Sequence, residues 1–184
     1  MAKTQRADWN GLPKAPAYHT DLGAMFLGDS LEYLRVMPEG SVDLAFTSPP
    51  FALVRKKNYG NEAASEYVTW FTRFADEVQR VLKPTGSFVI DIGGSWLPGL
   101  PVRSTYHYQL LIELTRPGRF YLAQDFFWYS PSKLPTPAEW VTVRKIRVKD
   151  SINTVWWLSK TAYPKASNDR TSVEYSEAMR SLLK

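Results

Sequence analysis

Short apolar runs alternate with amphipathic stretches between residues 24 and 114, and this alternation restricts the chain to an α/β architecture more tightly than any other feature. Ala24-Met25-Phe26-Leu27 reads as a strand. Gly28-Asp29-Ser30 then opens a helical stretch with Leu31, Leu34 and Met37 on one face, and Pro38 and Gly40 end it. Val42 to Phe46 is a second strand, of the apolar kind buried in parallel sheets. From Glu62 to Leu82, the residues Tyr67, Trp70, Phe71, Phe74, Val78 and Val81 recur at helical spacing, up to a stop at Lys83-Pro84-Thr85-Gly86. Ser87 to Ile92 is a buried strand closed by Gly93-Gly94, and Tyr106 to Leu114 is a helix ending before Pro117-Gly118. The sheet expected from this order is mostly parallel.

Beyond Phe120 the pattern changes. Phe120 to Tyr129 and Thr154 to Ser159 read as strands flanking a Pro-, Lys- and Arg-bearing connection, so a C-terminal antiparallel hairpin with an insertion over residues 130–150 is expected. Tyr175 to Lys184 places Met179, Leu182 and Leu183 on a helical face and lacks a Gly, Asn or Pro stop signal. The expected organisation is a leader over 1–23, a catalytic half-domain over 24–165, and over 166–184 the start of a truncated helical or specificity segment.

The chain contains no cysteine, which removes disulfides, thiolate metal sites and cysteine nucleophiles. Two histidines, His19 and His107, remain as imidazoles; packing explains a lone histidine better than ligation does, and no metal site is expected. The 23 Lys+Arg against 18 Asp+Glu make a polyanion a plausible partner, although many enzymes of neutral substrates are as basic. No apolar run is long enough for a membrane span, and the first residues lack the apolar core of a signal peptide, so a cytoplasmic protein is expected.

Thr47-Ser48-Pro49-Pro50-Phe51 carries the most chemical information, because it follows a strand and open α/β sheets bind ligands at the carboxyl ends of their strands. Two prolines stiffen this loop and remove two N–H donors. Local carbonyls are left as acceptors beside the Ser48 hydroxyl and the Phe51 ring. An exocyclic base amine is a weak nucleophile, since its lone pair is delocalised into the ring. Acceptors holding its N–H bonds favour a pyramidal nitrogen, and an aromatic face can hold the base. An ordinary turn is the alternative for the tripeptide alone.

With its context, the segment resembles the amino-methyltransferase family of DNA, whose catalytic loop is (Asp/Asn/Ser)-Pro-Pro-(aromatic). The serine form, Ser48-Pro49-Pro50-Phe51, is similar to the cytosine-N4 branch. The likeness extends through Gly28-Asp29-Ser30-Leu31, Arg55 to Asn61, Leu82 to Phe88, Pro131 to Pro135, Arg144 to Asp150 and Asn153 to Trp157. It implies a Rossmann-like methyltransferase sheet in the permuted, beta-type motif order, S-adenosylmethionine as cofactor, and double-stranded DNA with one base flipped as substrate. By this likeness Asp29, Ser30 and Thr47 would serve the cofactor, Asp29 and Ser30 at its adenosine end. Ser48 and the Pro49 carbonyl, in the loop that Pro50 stiffens, would hold the amine, and Phe51 would stack on the base. A helix N-cap is the alternative for Asp29 or Ser30.

Asp91 is the lone carboxylate of the run Phe88 to Ile92. It would position Ser48 or receive the amine proton, unless it is a hydrogen-bonded structural acid. Lys133, Arg144, Lys145, Arg147 and Lys149, near Trp140, suit phosphate contacts, with a solvated charged loop as the alternative.

Asp91-Ile92-Gly93-Gly94 with Glu113 downstream is a partial match to a Gly-rich cofactor turn. The resembled group instead places a Phe-x-Gly-x-Gly loop far towards the carboxyl end, and these residues do not reach one. The methyltransferase sheet is therefore expected to be incomplete, in a fragment or in one half of a split enzyme whose second polypeptide brings that loop. The expected activity is modification of cytosine N4 within a restriction-modification system. Adenine N6 is the rival within the class, and a catalytically inactive DNA-binding remnant is the rival outside it. Cytosine-C5 chemistry commonly needs a cysteine nucleophile, and there is none.

Overall fold

The structure, a computed structural model, describes residues 11–52 and 66–183. Its centre is a four-stranded sheet ordered β3(Val42–Thr47), β4(Leu82–Ile92), β6(Ile152–Ser159), β5(Tyr121–Tyr129). β3 and β4 pair in parallel, while β6 pairs antiparallel with both β4 and β5. Three strands thus point one way and β6 alone runs against them. This corrects the expectation of a mostly parallel sheet: it holds for strand direction but not for pairing, where two of the three ladders are antiparallel. The cause is that β6, the returning arm of the hairpin, lies between β4 and β5.

Two strand readings are also corrected. The run at Ala24 forms only β2(Ala24–Met25), which pairs with β1(Tyr18–His19) in a separate hairpin, so the expected leader itself contributes a strand. Met25 and Leu27 are exposed. β4 starts at Leu82, before the Lys-Pro-Thr-Gly segment that reads as a stop. Val42 pairs with Leu82 and Leu44 with Ser87, so that segment is absorbed as an irregularity inside the strand.

The helices follow their apolar spacing. α1(Ser30–Val36) is capped by Asp29, whose Oδ1 accepts from the Leu31 N–H at 2.8 Å. α2(Tyr67–Val81) buries Tyr67, Phe71, Ala75, Val78 and Val81 on one face, and α3(Tyr106–Leu114) buries Tyr106, His107, Leu110 and Leu114. The earlier part of the stretch from Glu62, like Arg55 to Asn61, lies outside the described residues. α4(Glu177–Leu182) forms where a helix was expected and has no buried residue. Among the described residues no helix is long and apolar enough to cross a membrane.

Alternate residues of β4 and β6, namely Phe88, Ile90, Ile92, Trp156 and Leu158, are buried in one cluster with α2 and α3. Phe88 stacks on Phe71 with ring centres 6.3 Å apart. The α2 residue Arg80 donates to the carbonyls of Leu34 (2.6 Å) and Met37 (2.9 Å), which satisfies the end of α1 and fixes it to α2. The opposite sheet face carries Leu44 and Phe46 of β3, Val89 of β4, Val155 and Trp157 of β6, and Phe126 and Trp128 of β5, as the pairing register requires. No described helix packs there: Phe46 is 67% exposed and Trp128 64%.

Candidate active site

The parallel register carries β3 and β4 to a common end, with Thr47 opposite Ile90, and this juxtaposition builds the site. Beyond it the chain turns through Ser48-Pro49-Pro50-Phe51. Pro49 is buried and anchors the turn, while the neighbouring Ser48 is exposed. The Ser48 hydroxyl donates to Asp91 Oδ2 at 3.4 Å, at the long end of hydrogen-bond range. Asp91 Oδ1 is buried and has no partner among the described residues. An orphaned carboxylate oxygen in such a place is costly unless a ligand completes it.

A cleft of about 530 Å³ joins the two sets of residues expected to act together: Asp29, Ser30 and Thr47 line it with Ser48, Pro49 and Pro50. Its remaining wall is largely apolar, with Leu34, Trp70, Phe71 and Phe74 among the residues facing it. Apolar walls with a few polar groups at one edge suit a nucleoside-like ligand. Asp29 holds its cap contact and still stands on the cleft, so the capping and binding readings are compatible. Phe51 and Asp91 are not on this wall. The Phe51 ring is half-buried and lies against Gly93: a Cβ built on Gly93 would come within 2.5 Å of Phe51 Cε2.

The neighbouring Gly94 is covered by Arg103, whose Nη2 would be 2.0 Å from a Cβ there. Tyr106, buried on α3, donates its hydroxyl hydrogen to the Gly93 carbonyl. Burial pushes the Tyr106 phenol well above its ordinary range, opposed by the Ala52 backbone N–H and by Arg103. In the sequence Gly93-Gly94 is a partial match to a cofactor turn, and nothing in it points to Tyr106 or Arg103 as their neighbours. The lack of a side chain was the visible signal, and the residues lying over the gap were not.

The basic insertion over 130–150 is folded against this region. Trp140 is buried in a short π-helical turn, Glu139–Val143, and meets Trp96 with ring centres 5.3 Å apart. Arg103 lies over the Trp96 ring at 5.1 Å and donates to Asp150 at 2.8 Å. Of the five expected phosphate contacts, Lys133 is half-buried and donates to Asn153 at 2.9 Å. Arg147 donates to the Pro101 carbonyl at 2.9 Å, and Lys149 donates to the Pro131 carbonyl. Arg144 faces Glu139 at 3.8 Å, and Lys145 makes no ion pair or side-chain hydrogen bond among the described residues. Arg144, Lys145, Arg147 and Lys149 are exposed. Among the described residues no cluster of three or more His, Cys, Asp or Glu is arranged to hold a metal ion.

A family model for DNA methylases, covering methylation at N6 and N4, matches residues 42–183. The chain belongs to this family. It is 53% identical over 170 residues to the type II methyltransferase M.PvuII of Proteus hauseri, covering 92% of this chain and 51% of the relative. The type II methyltransferase M.BamHI of Bacillus amyloliquefaciens is 40% identical over 78 residues, which cover 41% of this chain and 18% of the relative. Among solved structures, the PvuII DNA methyltransferase (cytosine-N4-specific) superposes with a TM-score of 0.79 at 54% identity, covering 87% of this chain and 57% of that one. The fold is therefore a methyltransferase fold of the α/β class, and the chain spans about half the length of M.PvuII.

Proposed function

We propose that this chain is the catalytic part of a DNA methyltransferase that transfers a methyl group from S-adenosylmethionine to N4 of a flipped-out cytosine, as the modification part of a restriction-modification system. The observation that carries this reading is the Ser48–Asp91 contact at the shared end of β3 and β4, next to a cleft edged by Asp29, Ser30 and Thr47. The same catalytic loop would suit an adenine amine. The cytosine assignment draws on the serine form of the loop and on the likeness to a methyltransferase described as cytosine-N4-specific.

The cofactor supplies an activated methyl group when bound. Asp29 and Ser30 would hold its adenosine end, with Thr47 nearer the catalytic loop. Ser48 donates to Asp91 and keeps its lone pairs as acceptors for one amine N–H. The Pro49 carbonyl would accept the other, so the nitrogen lone pair turns towards the methyl group. As the N–C bond formed and the methyl–sulfur bond broke, the sulfur would leave as a neutral thioether and the amine would have to lose a proton, which the Asp91 carboxylate, already hydrogen-bonded to Ser48, would take. Phe51 would hold the pyrimidine ring, worth about 1–3 kcal/mol if it stacks as rings do on single-stranded bases. Arg144, Lys145, Arg147, Lys149 and Lys133 would contact phosphates, with Lys145 the freest of them.

Ser48→Ala should abolish most methyl transfer while duplex binding is retained, as read by tritiated methyl incorporation beside a gel-shift titration. Loss of both together would favour a structural turn. Nucleoside analysis of the product separates N4-methylcytosine from N6-methyladenine. If the wild-type chain bound DNA and never methylated it under any complementation, a non-catalytic DNA-binding role would be the better reading.

The bare apolar face of the sheet supports a second element of the proposal. A contiguous apolar patch on a folded chain marks a surface that is ordinarily covered, and Phe46, Trp128 and Leu44 stand open on this face. Further polypeptide bearing the Gly-rich cofactor loop, whether the rest of a longer chain or a second one, would lie against that face. Residues 24–165 would then act as the catalytic half, with 166–184 leading towards the specificity region. Action on intracellular DNA would place the assembled enzyme in the cytoplasm.

A further inference from the structure

We propose that the adjacent glycines at the tip of β4 are two positioning residues: Gly93 seats the Phe51 ring, and Gly94 seats the Arg103 guanidinium that ties down the basic insertion. The inference rests on the reading of Phe51 as the ring that holds the flipped base. Neither glycine has a positive φ, so backbone conformation does not demand glycine at either place. What demands it is the space above each Cα. A Cβ on Gly93 would meet Phe51 Cε2 at 2.5 Å and Cδ2 at 2.8 Å, and one on Gly94 would meet Arg103 Nη2 at 2.0 Å. All three distances are below ordinary contact, so an added methyl group makes the overlying side chain shift: at Gly93 the rigid Phe51 ring has to move as a unit, and at Gly94 the guanidinium tip of the flexible Arg103 swings off its seat.

The two seats lead to different parts of the site. From Gly93 the path goes to Phe51, one residue beyond the proline turn that carries Ser48. The carbonyl of Gly93 is held from beneath by the Tyr106 hydroxyl, so the platform itself is fixed to α3. From Gly94 the path goes to Arg103, on to Asp150 at 2.8 Å, and across Trp96 to Trp140 in the insertion. Lys133 is held near the same carboxylate at 3.9 Å. Two consecutive residues therefore set the spacing between the base-holding ring and the cation-bearing segment.

Binding to two short duplexes tests this, one with a cytosine opposite an abasic site and one with that cytosine also removed. The ratio of the two affinities reports capture of an unpaired cytosine, without cofactor or recognition sequence. Phe51→Ala should lower the ratio about tenfold. Gly93→Ala should lower it to a similar extent, and the double variant should be no worse than either single one. Gly94→Ala should weaken binding of both duplexes alike, as should Arg103→Gln, and combining the two should add nothing.

If Phe51→Ala leaves the ratio unchanged, the assigned role of Phe51 fails, and this inference with it. If Phe51→Ala lowers the ratio but Gly93→Ala adds fully on top of it, Gly93 does not act through the ring and the inference alone is overturned. Urea unfolding supplies a readout without DNA. Gly93→Ala should lower the unfolding midpoint in the wild-type background but not in Phe51→Ala, and equal shifts in both would refute the seat.

Discussion

Asp91 is the residue on which the proposed chemistry turns, because one of its oxygens holds Ser48 and the other is buried without a described partner. Asp91→Asn keeps the shape, yet its amide group offers hydrogens where an acceptor is needed. Methyl transfer should fall by roughly 100-fold or more, the usual scale for losing a general base. The unfolding midpoint should move little, and comparable losses of activity and stability would reduce Asp91 to a structural acid. Asp150 supplies a residue-scale test of the insertion's anchorage. Burial raises its pKa, but the Arg103 hydrogen bond, the Ile152 N–H and the charges of Arg103 and Lys133 outweigh this and hold the carboxyl below its ordinary range. A depressed folded pKa gives stability that is present above the unfolded value, near 3.9, and lost as pH falls through the folded one. Urea melts should therefore show a decline below about pH 4 that is shallower in Asp150→Asn. With Arg103 about 40% exposed, the loss at neutral pH should be about 1 kcal/mol or less.

At the scale of elements, α1 separates two uses of one side chain. Asp29→Ala removes the N-cap and should cost about 1 kcal/mol, whereas Asp29→Asn retains a capping oxygen and should cost much less. If the carboxylate also serves the cofactor, both variants should weaken S-adenosylmethionine binding, as measured by calorimetry on the complemented enzyme. A binding loss confined to the alanine variant would leave Asp29 as a cap alone. The elements were legible where local pattern decides them. Apolar spacing up to Pro117-Gly118 marked α3, and the ring-rich stripe of Tyr67, Phe71 and Val78 marked α2, because one buried face needs only its own sequence. Pairing was less legible, since a strand's neighbour is chosen by distant residues. Ala24-Met25 has the composition of a core strand yet pairs with Tyr18–His19. Lys83-Pro84-Thr85-Gly86 has turn chemistry yet lies within β4, because Leu82 already pairs with Val42. In the site, the loop Ser48 to Phe51 and its partner Asp91 could be named from sequence. The seats beneath Phe51 and Arg103 could not, since a glycine does not disclose what covers it.

For the whole molecule, the governing asymmetry is a sheet with helices on one face and apolar side chains bare on the other. Phe46→Asp places a charge on that bare face without disturbing the buried cluster, so the chain should remain folded by circular dichroism. Its association with a polypeptide supplying the remaining half of the methyltransferase should be lost in gel filtration. Under the same reading the wild-type chain alone should bind S-adenosylmethionine more weakly than micromolar and gain affinity on adding that half. Micromolar or tighter binding by these 184 residues alone would remove the need for a second polypeptide.

The interposed strand β6 also governs how far the protein can be trimmed. Among the described residues β5 pairs only with β6, and β6 is what joins it to β4. Cutting the gene before Ile152 would strip away a returning arm and cast adrift the arm before it, together with the cations strung between them. Any minimal version used for crystallisation or engineering therefore has to run through Ser159, however dispensable the later residues prove.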